Sequence, residues 1–171
     1  MKIKERVVVF PDIHFPNHDE KAFRCALNVL ETLKPTAFLL LGDTVDGESV
    51  SHWQWRKKKR PPLEYQLPFI DKEIKEGNIG LDRIDEVLDK INCKKKQFTQ
   101  GNHEKWFDHF VEENPYLEDY TSRRAFKFNE RGYRWADYGK VVKVFGSKLY
   151  AYHGGHYMGV AHARTHALQM G

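Results

Sequence analysis

The chain has 171 residues, which is long enough for one domain with a sizeable buried core, and its 28 basic and 24 acidic residues give a formal net charge of +4. A hydrophobic content of 40% excludes a disordered chain, and the short apolar runs exclude a membrane-spanning segment. The mild positive charge permits a polyanionic partner without requiring one. The charged N-terminus leads directly into a predicted strand, and the two cysteines have no CxxC spacing, so we expect a cytoplasmic protein without a signal peptide.

The first predicted strand covers residues 6–10, which are β-branched and apolar, and polar residues follow it directly. In the next segment, residues 11–16, a proline at each end holds the chain extended. Because residues i and i+2 of an extended segment point the same way, Asp12 and His14 can converge on one point. An amphipathic helix is then predicted over about residues 22–33.

The second predicted strand, residues 37–41, stops at Gly42, and Asp43 follows it. Taken alone, this aspartate favours an ordinary turn over a metal site. The same pattern recurs, however, after a third strand at residues 97–100 and after a predicted hairpin at residues 141–145 and 149–152. Open α/β sheets place their ligands at the carboxyl ends of the strands, so the repetition favours a functional site.

The segment between the second and third strands, about residues 47–96, is predicted to be a basic helical insert in a single domain that spans residues 1–171. Two helices are predicted in it, at residues 67–76 and 81–91, with a break at Gly77 and Gly80. Before them come two aromatic residues and a basic run: Trp53, Trp55, Arg56, Lys57, Lys58, Lys59 and Arg60. Such residues can stack on bases and neutralise phosphates, although a solvated run with packed tryptophans is the alternative.

Beyond the third strand, a helix through Trp106 and Phe110 is predicted to end near Asn114, residues 116–135 are predicted to form a helix and a loop, and a last helix is predicted at about residues 160–170. Metal-competent side chains follow the four predicted strands: Asp12, His14, Asp43, Asn102 and His153. Neighbouring strand ends of one sheet lie about 5 Å apart, so these side chains can surround a small volume. Carboxylate, imidazole and amide donors suit Mn²⁺, Fe or Zn²⁺, and one carboxylate can bridge two cations about 3.5–4 Å apart.

Four motifs in this order resemble those of the calcineurin-like metallophosphoesterase superfamily: Asp12-Ile13-His14, Gly42-Asp43-Thr44-Val45-Asp46, Gly101-Asn102-His103-Glu104 and His153-Gly154. The resemblance implies an α/β fold, a β-sandwich flanked by helices, with a hydrolytic site that holds two divalent cations. Mn²⁺ is the first choice for these cations, and Fe, Zn²⁺ and Ni²⁺ are alternatives.

The resemblance also implies a role for each residue of the site. Asp12 and His14 would bind the first metal, Asp43 would bridge both, and Asn102 and His153 would bind the second. His103 would protonate the leaving oxygen and Asp46 would orient this histidine, whereas we expect Glu104 to cap the following helix.

The implied activity is hydrolysis of phosphate esters by a hydroxide that bridges the two metals, with phosphodiesters of nucleotides or nucleic acid slightly preferred. A phosphomonoesterase or protein phosphatase is one alternative, and a catalytically weak nucleic-acid-binding module of the same fold is another. Protein phosphatases of the family carry Asp-Arg-Gly where this chain has Asp46-Gly47-Glu48, which argues against a phosphoprotein substrate.

One family motif, a Gly-His-x-His segment that supplies one further ligand to each metal, has no match in the chain. We therefore expect a C-terminally truncated domain with weak metal binding and low activity. Alternatively, His156, His162 or His166 replaces the missing ligands.

Overall fold

A four-stranded parallel sheet forms the centre of the computed structural model, which describes residues 5–145 and 148–154. Its strands lie side by side in chain order: β1 (Val7–Phe10), β2 (Ala37–Leu40), β3 (Lys95–Thr99) and β4 (Tyr133–Ala136). Because all neighbours are parallel, the carboxyl ends of the four strands meet at one edge of the sheet. The predicted helix at about residues 160–170 lies outside the described residues.

Helices connect and flank these strands: α1 (Glu20–Leu33), α2 (Leu63–Lys90), α3 (Asn102–Glu113) and the short α4 (Ser122–Ala125). Short 3₁₀ helices cover Glu48–Val50, His52–Trp55 and Pro115–Tyr120. The predicted α/β fold, with helices that flank a sheet, is confirmed. None of the helices among the described residues is both long and apolar enough to cross a membrane.

The apolar run of β2 is buried, as predicted, whereas that of β1, an edge strand, is only partly buried. All four residues of β2 are fully buried, because this strand lies inside the sheet between β1 and β3. Phe38 and Leu40 belong to the main core cluster together with Leu81 and Ile84 of α2. The core therefore lies between the sheet and α2, and it supports the loops that follow the strands.

The predicted hairpin is present in a shorter form, as the antiparallel pair β5 (Val142–Lys143) and β6 (Tyr150–Ala151). This pair forms a sheet of its own, so the strand that precedes His153 is separate from the four-stranded sheet. His153 therefore reaches the strand ends from a second sheet rather than from a fifth position in the first.

The predicted break at Gly77 and Gly80 is wrong, because α2 continues through both glycines as one helix. Each glycine lies against an aromatic ring: a Cβ atom on Gly77 would lie 2.8 Å from the ring of Phe126, and one on Gly80 would lie 2.5 Å from the ring of Phe15. Close packing, not a turn, therefore requires glycine at these positions. Pro68, the second residue of the helix predicted at residues 67–76, lies inside α2, which begins at Leu63.

Strand β4 is absent from the predictions, which give only a helix and a loop for residues 116–135. It forms the edge of the sheet next to β3, and only Tyr133 among its residues is buried. Trp135 packs on Phe98 of β3 with ring centroids 4.8 Å apart. A short edge strand with charged neighbours has a weak sequence signal, because little of it alternates between buried and exposed positions.

We predict that Gly80→Ala lowers the free energy of unfolding by about 1–3 kcal/mol, because the added methyl group must displace the ring of Phe15. Helix propensity alone predicts the opposite sign, a gain of about 1 kcal/mol. Urea unfolding followed by circular dichroism measures the difference. The matched control is Ile79→Ala, at an exposed neighbouring position of the same helix. A Gly80→Ala variant more stable than the parent would contradict the packing role of this glycine.

Candidate metal centre

The loops that follow β1 and β2 are hydrogen-bonded to each other. The Asp12 N–H donates to the Gly42 carbonyl oxygen over 3.1 Å, and the His14 N–H donates to the Asp43 carbonyl oxygen over 3.0 Å. A parallel bridge between Phe15 and Val45 extends this pairing further. The two loops thus continue the register of β1 and β2 beyond the strand ends, which places Asp12 and His14 beside Asp43.

Three non-glycine residues of these loops have a left-handed backbone conformation, with φ of 49° at Asp12, 58° at His14 and 47° at Asp43. For an L-residue this conformation costs roughly 1–2 kcal/mol. Such a cost persists only where the surrounding structure holds the backbone in place, which is common at functional sites. Here the bonds between the two loops supply that restraint.

A first donor group consists of Asp12, His14 and Asp43, whose ligand atoms all lie within 4.8 Å of one another. The Nδ1 atom of His14 lies 3.0 Å from a carboxylate oxygen of Asp46. This contact assigns the proton to Nδ1 and leaves Nε2 as the nitrogen that can bind a cation. The group therefore offers two carboxylates and one oriented imidazole.

A second donor group consists of His153, Asn102 and again Asp43. The Nε2 atom of His153 lies 3.2 Å from Oδ2 of Asp43 and 3.2 Å from Oδ1 of Asn102. Adjacent ligands of an octahedral cation with bonds of about 2.1 Å are about 3 Å apart, so these atoms have the spacing of ligands around one cation. Nδ1 of His153 donates to the Leu41 carbonyl oxygen over 2.7 Å, which turns Nε2 toward the other donors.

Two glycines allow the strand ends to approach this closely. A Cβ atom on Gly42 would lie 2.4 Å from the ring of His153, and one on Gly101 would lie 2.2 Å from the carboxylate of Asp43. Gly42 also has a left-handed φ of 77°. The glycines before Asp43 and before Asn102 are therefore required by the contacts of the site itself.

His103 lies beside Asp43 and His14. Its Nε2 atom is 3.9 Å from Oδ2 of Asp43, and its Nδ1 atom contacts the main-chain oxygen of Asp46. The ring packs edge-on against His14, with centroids 4.6 Å apart, and lies on the ring of Trp106 at 4.0 Å. These contacts restrain the imidazole on three sides.

Asp46 holds both histidines. Its carboxylate is bonded to His14 and accepts from Asn17 over 2.7 Å, and it lies 3.8 Å from Nδ1 of His103. His14, Asp46 and His103 also satisfy the spacing of a three-ligand metal group. In that group, however, Nδ1 of His14 and the carboxylate of Asp46 are hydrogen-bonded to each other. Asp46 is therefore better placed to orient the two histidines than to bind a cation.

Glu104 is fully buried behind Asp43, and its four hydrogen bonds tie together two parts of the site. One oxygen accepts from the N–H groups of Asp43 and Gly101 over 3.0 and 2.9 Å, and the other accepts from Thr44 and Val45 over 2.7 and 3.1 Å. The predicted cap of α3 is confirmed by the bond to Gly101. We call the bonds from Glu104 to the loop around Asp43 the clamp. The clamp is not apparent from the sequence, since Glu104 and that loop are about 60 residues apart.

Burial and the nearby Asp43 carboxylate raise the pKa of Glu104 to about 7, against the effect of its hydrogen bonds. Burial is the largest single effect on Asp43 and His153 and opposes charge on both. Their mutual hydrogen bond, their charge attraction and their main-chain hydrogen bonds together outweigh it, so the pKa of Asp43 is lowered and the pKa of His153 is raised to about 9. Without a cation, His153 is therefore protonated near neutral pH, and a cation that binds Nε2 must displace that proton.

The predicted basic run lies on the surface and contributes nothing to either donor group. Trp53 is 54% exposed, and the guanidinium of Arg56 lies 4.5 Å from its ring centroid. Arg60 forms an ion pair with Glu113, whereas Trp55 is partly buried. His156, His162 and His166, the candidates to replace the missing ligands, lie outside the described residues.

The calcineurin-like phosphoesterase family model matches residues 5–169 of the chain. The matched range contains both donor groups, His103 and the clamp formed by Glu104. No curated protein and no solved structure matches the chain.

We predict that His153 makes the stability of the metal-free protein depend on pH. Because the folded-state pKa of His153 is raised to about 9, its contribution is complete below its ordinary pKa of 6.5 and is lost as the pH rises through 9. The loss amounts to about 3 kcal/mol. Urea unfolding in a chelator at pH values across this range measures it.

This decrease in the free energy of unfolding with rising pH should be absent in His153→Gln. It should be retained in His109→Gln, a change at an exposed histidine of α3. Equal pH profiles for the parent and His153→Gln would contradict the ion pair between His153 and Asp43.

Proposed function

The chain belongs to the calcineurin-like phosphoesterase family, and we propose that it hydrolyses phosphodiesters at a centre of two cations that share Asp43. The observation that carries this proposal is the position of Asp43 in two donor groups, one with Asp12 and His14 and one with Asn102 and His153. A lone structural cation would need only one such group.

The donors fit the expected cations. Asp12, His14 and Asp43 would hold the first cation, and Asp43, Asn102 and His153 would hold the second. Oxygen and imidazole donors suit Mn²⁺, which we propose first, and Fe, Zn²⁺ and Ni²⁺ are alternatives. When bound, the cations supply neutralisation of phosphate charge and activation of the attacking water.

We assign the proton transfer to His103. Its Nδ1 atom donates to the main-chain oxygen of Asp46, which leaves Nε2 to face the space beside Asp43. A group in this position can give a proton to the leaving oxygen as the phosphorus–oxygen bond breaks. Asp46 orients this ring through its backbone and orients His14 through its carboxylate, so one residue positions a metal ligand and the proton donor.

A diester substrate is favoured over a monoester by the charges near the site. A monoester carries the larger negative charge, and the residue that follows Asp46-Gly47 is the exposed acidic Glu48 rather than a cation. The exposed run from Arg56 to Lys59 would attract a polyanion such as nucleic acid. A reducing compartment such as the cytoplasm suits the chain, since Cys25 and Cys93 are free.

Metal titration tests the shared ligand. We predict that Asp43→Asn abolishes calorimetric binding of both Mn²⁺ ions, because it removes a charged donor from each group. His153→Gln should remove one binding event and leave the other. The control is Asp119→Asn, because Asp119 is highly exposed and pairs with Arg124, which belongs to neither donor group. Unchanged stoichiometry in Asp43→Asn would exclude the shared arrangement.

We predict that His103→Asn lowers the Mn²⁺-dependent kcat about 10²–10⁴-fold for a dinucleotide, whose alkoxide leaving group needs a proton. The loss should be much smaller for bis-p-nitrophenyl phosphate, because p-nitrophenolate leaves without protonation. Steady-state rates with both substrates give the comparison, and Mn²⁺ titration checks that binding is retained.

The matched control is His109→Asn, since His109 lies on the same helix but is exposed and paired with Glu112. If His103→Asn slowed both substrates equally, His103 would have a role other than leaving-group protonation. If p-nitrophenyl phosphate were hydrolysed faster than the diester, the monoesterase alternative would replace the proposed diesterase.

A further inference from the structure

A cavity of about 510 Å³ lies beside the metal centre, between the N-terminal half of α2 and the loops that follow β1 and β2. Three aromatic residues and three acidic residues line it: Trp55, Tyr65, Phe69, Glu48, Glu73 and Glu76. Its size is that of pockets that bind small organic ligands or parts of substrates. Neither the donor groups nor the proton donor uses it.

Two residues of the cavity lining adjoin Asp46 of the metal centre. Asn17 lines the cavity and donates to the Asp46 carboxylate over 2.7 Å. Glu48 also lines it and follows Asp46 by two positions in the chain. A substrate whose phosphate lies at the metal centre can therefore extend one of its ester groups into the cavity.

The aromatic residues present large open surfaces to this space. Tyr65 and Phe69 lie one helical turn apart on α2 and are 63% and 69% exposed. Exposed aromatic rings lack the stabilisation that burial would supply, so two adjacent exposed rings in a cavity indicate a ligand-binding surface. Trp55 contributes a third ring, and the cavity thus suits a planar group that stacks.

The acidic residues of the lining determine which planar groups the cavity can bind. Glu73 is 6% exposed and accepts from the N–H groups of Glu48 and Ser49, each over 3.0 Å, so this wall is fixed. Glu48 and Glu76 reach the same space, and Lys72 among the lining residues offsets only one of the three negative charges. Carboxylates repel a phosphate but accept hydrogen bonds from N–H donors. The cavity therefore suits a ring system whose edge carries N–H groups.

We propose that this cavity binds the base of a nucleotide phosphodiester whose phosphate lies at the metal centre, an inference that rests on the proposed function. The base stacks on Tyr65 and Phe69, and its amino group donates to the carboxylates. The acidic walls keep the phosphate itself at the metal centre, where the cations are. The cavity is thus the specificity site, and the donor groups are the reaction site.

Two esters with the same leaving group test this inference: adenosine 5′-p-nitrophenyl phosphate and methyl p-nitrophenyl phosphate. We expect a KM at least about tenfold lower for the adenosine ester. Tyr65→Leu and Phe69→Leu, which keep an apolar side chain but remove the ring, should each raise that KM several-fold and leave the methyl ester unchanged. Tyr116→Leu, at an equally exposed aromatic residue outside the cavity, is the matched control.

A second measurement requires no turnover. Adenosine should quench the tryptophan fluorescence of the metal-free protein in a saturable manner, and Tyr65→Leu with Phe69→Leu should abolish the saturation. Equal KM values for the two esters, with both variants unchanged, would overturn the base site and leave the proposed hydrolase intact. Saturable quenching by choline but not by adenosine would also overturn it.

Failure to hydrolyse either ester would instead contradict the proposed function. In that case adenosine binding still decides the inference, because the fluorescence titration does not depend on the metals. Saturable quenching that the two ring variants lose would support the base site, and its absence would overturn it.

Discussion

The buried carboxylate of Glu104 is the constraint on which the rest of the site depends. A carboxylate in the interior is costly, and so are three buried N–H groups at the turn after a strand. Each satisfies the other here, because Glu104 accepts from Asp43, Thr44 and Val45. Its further bond to Gly101 ties the start of α3 to the same point. The loop after β2 and the loop after β3 therefore have one common anchor.

The remaining parts of the site are built outward from this anchor. The fixed loop around Asp43 pairs with the loop around Asp12 and His14, so backbone bonds bring the residues of the first donor group side by side. Asp46 then orients the two histidines, and His153 arrives from a separate sheet to complete the second group. The proposed specificity site is attached to this framework through Asn17, which links the cavity to Asp46.

The sequence predicts what depends on local patterns. Apolar runs mark β1 and β2, and the polar residues that follow these strands and β3 are the ones that the structure brings together around Asp43. Contacts between distant segments escape such patterns. Gly77 and Gly80 look like a helix break until the rings of Phe126 and Phe15 are known to lie against them. The clamp by Glu104 and the cavity beside α2 likewise depend on residues that meet only in the folded chain.

The left-handed backbone at Asp12, His14 and Asp43 has a consequence for how this protein can change. A sequence selected only for stability would favour glycine or asparagine at these positions, since these residues adopt the conformation most easily. The carboxylate and imidazole side chains proposed as ligands therefore cost the metal-free fold stability, and bound cations would return part of that free energy. Stabilised variants of this protein are therefore best sought away from the two loops, since the substitutions that relax them also remove the proposed ligands.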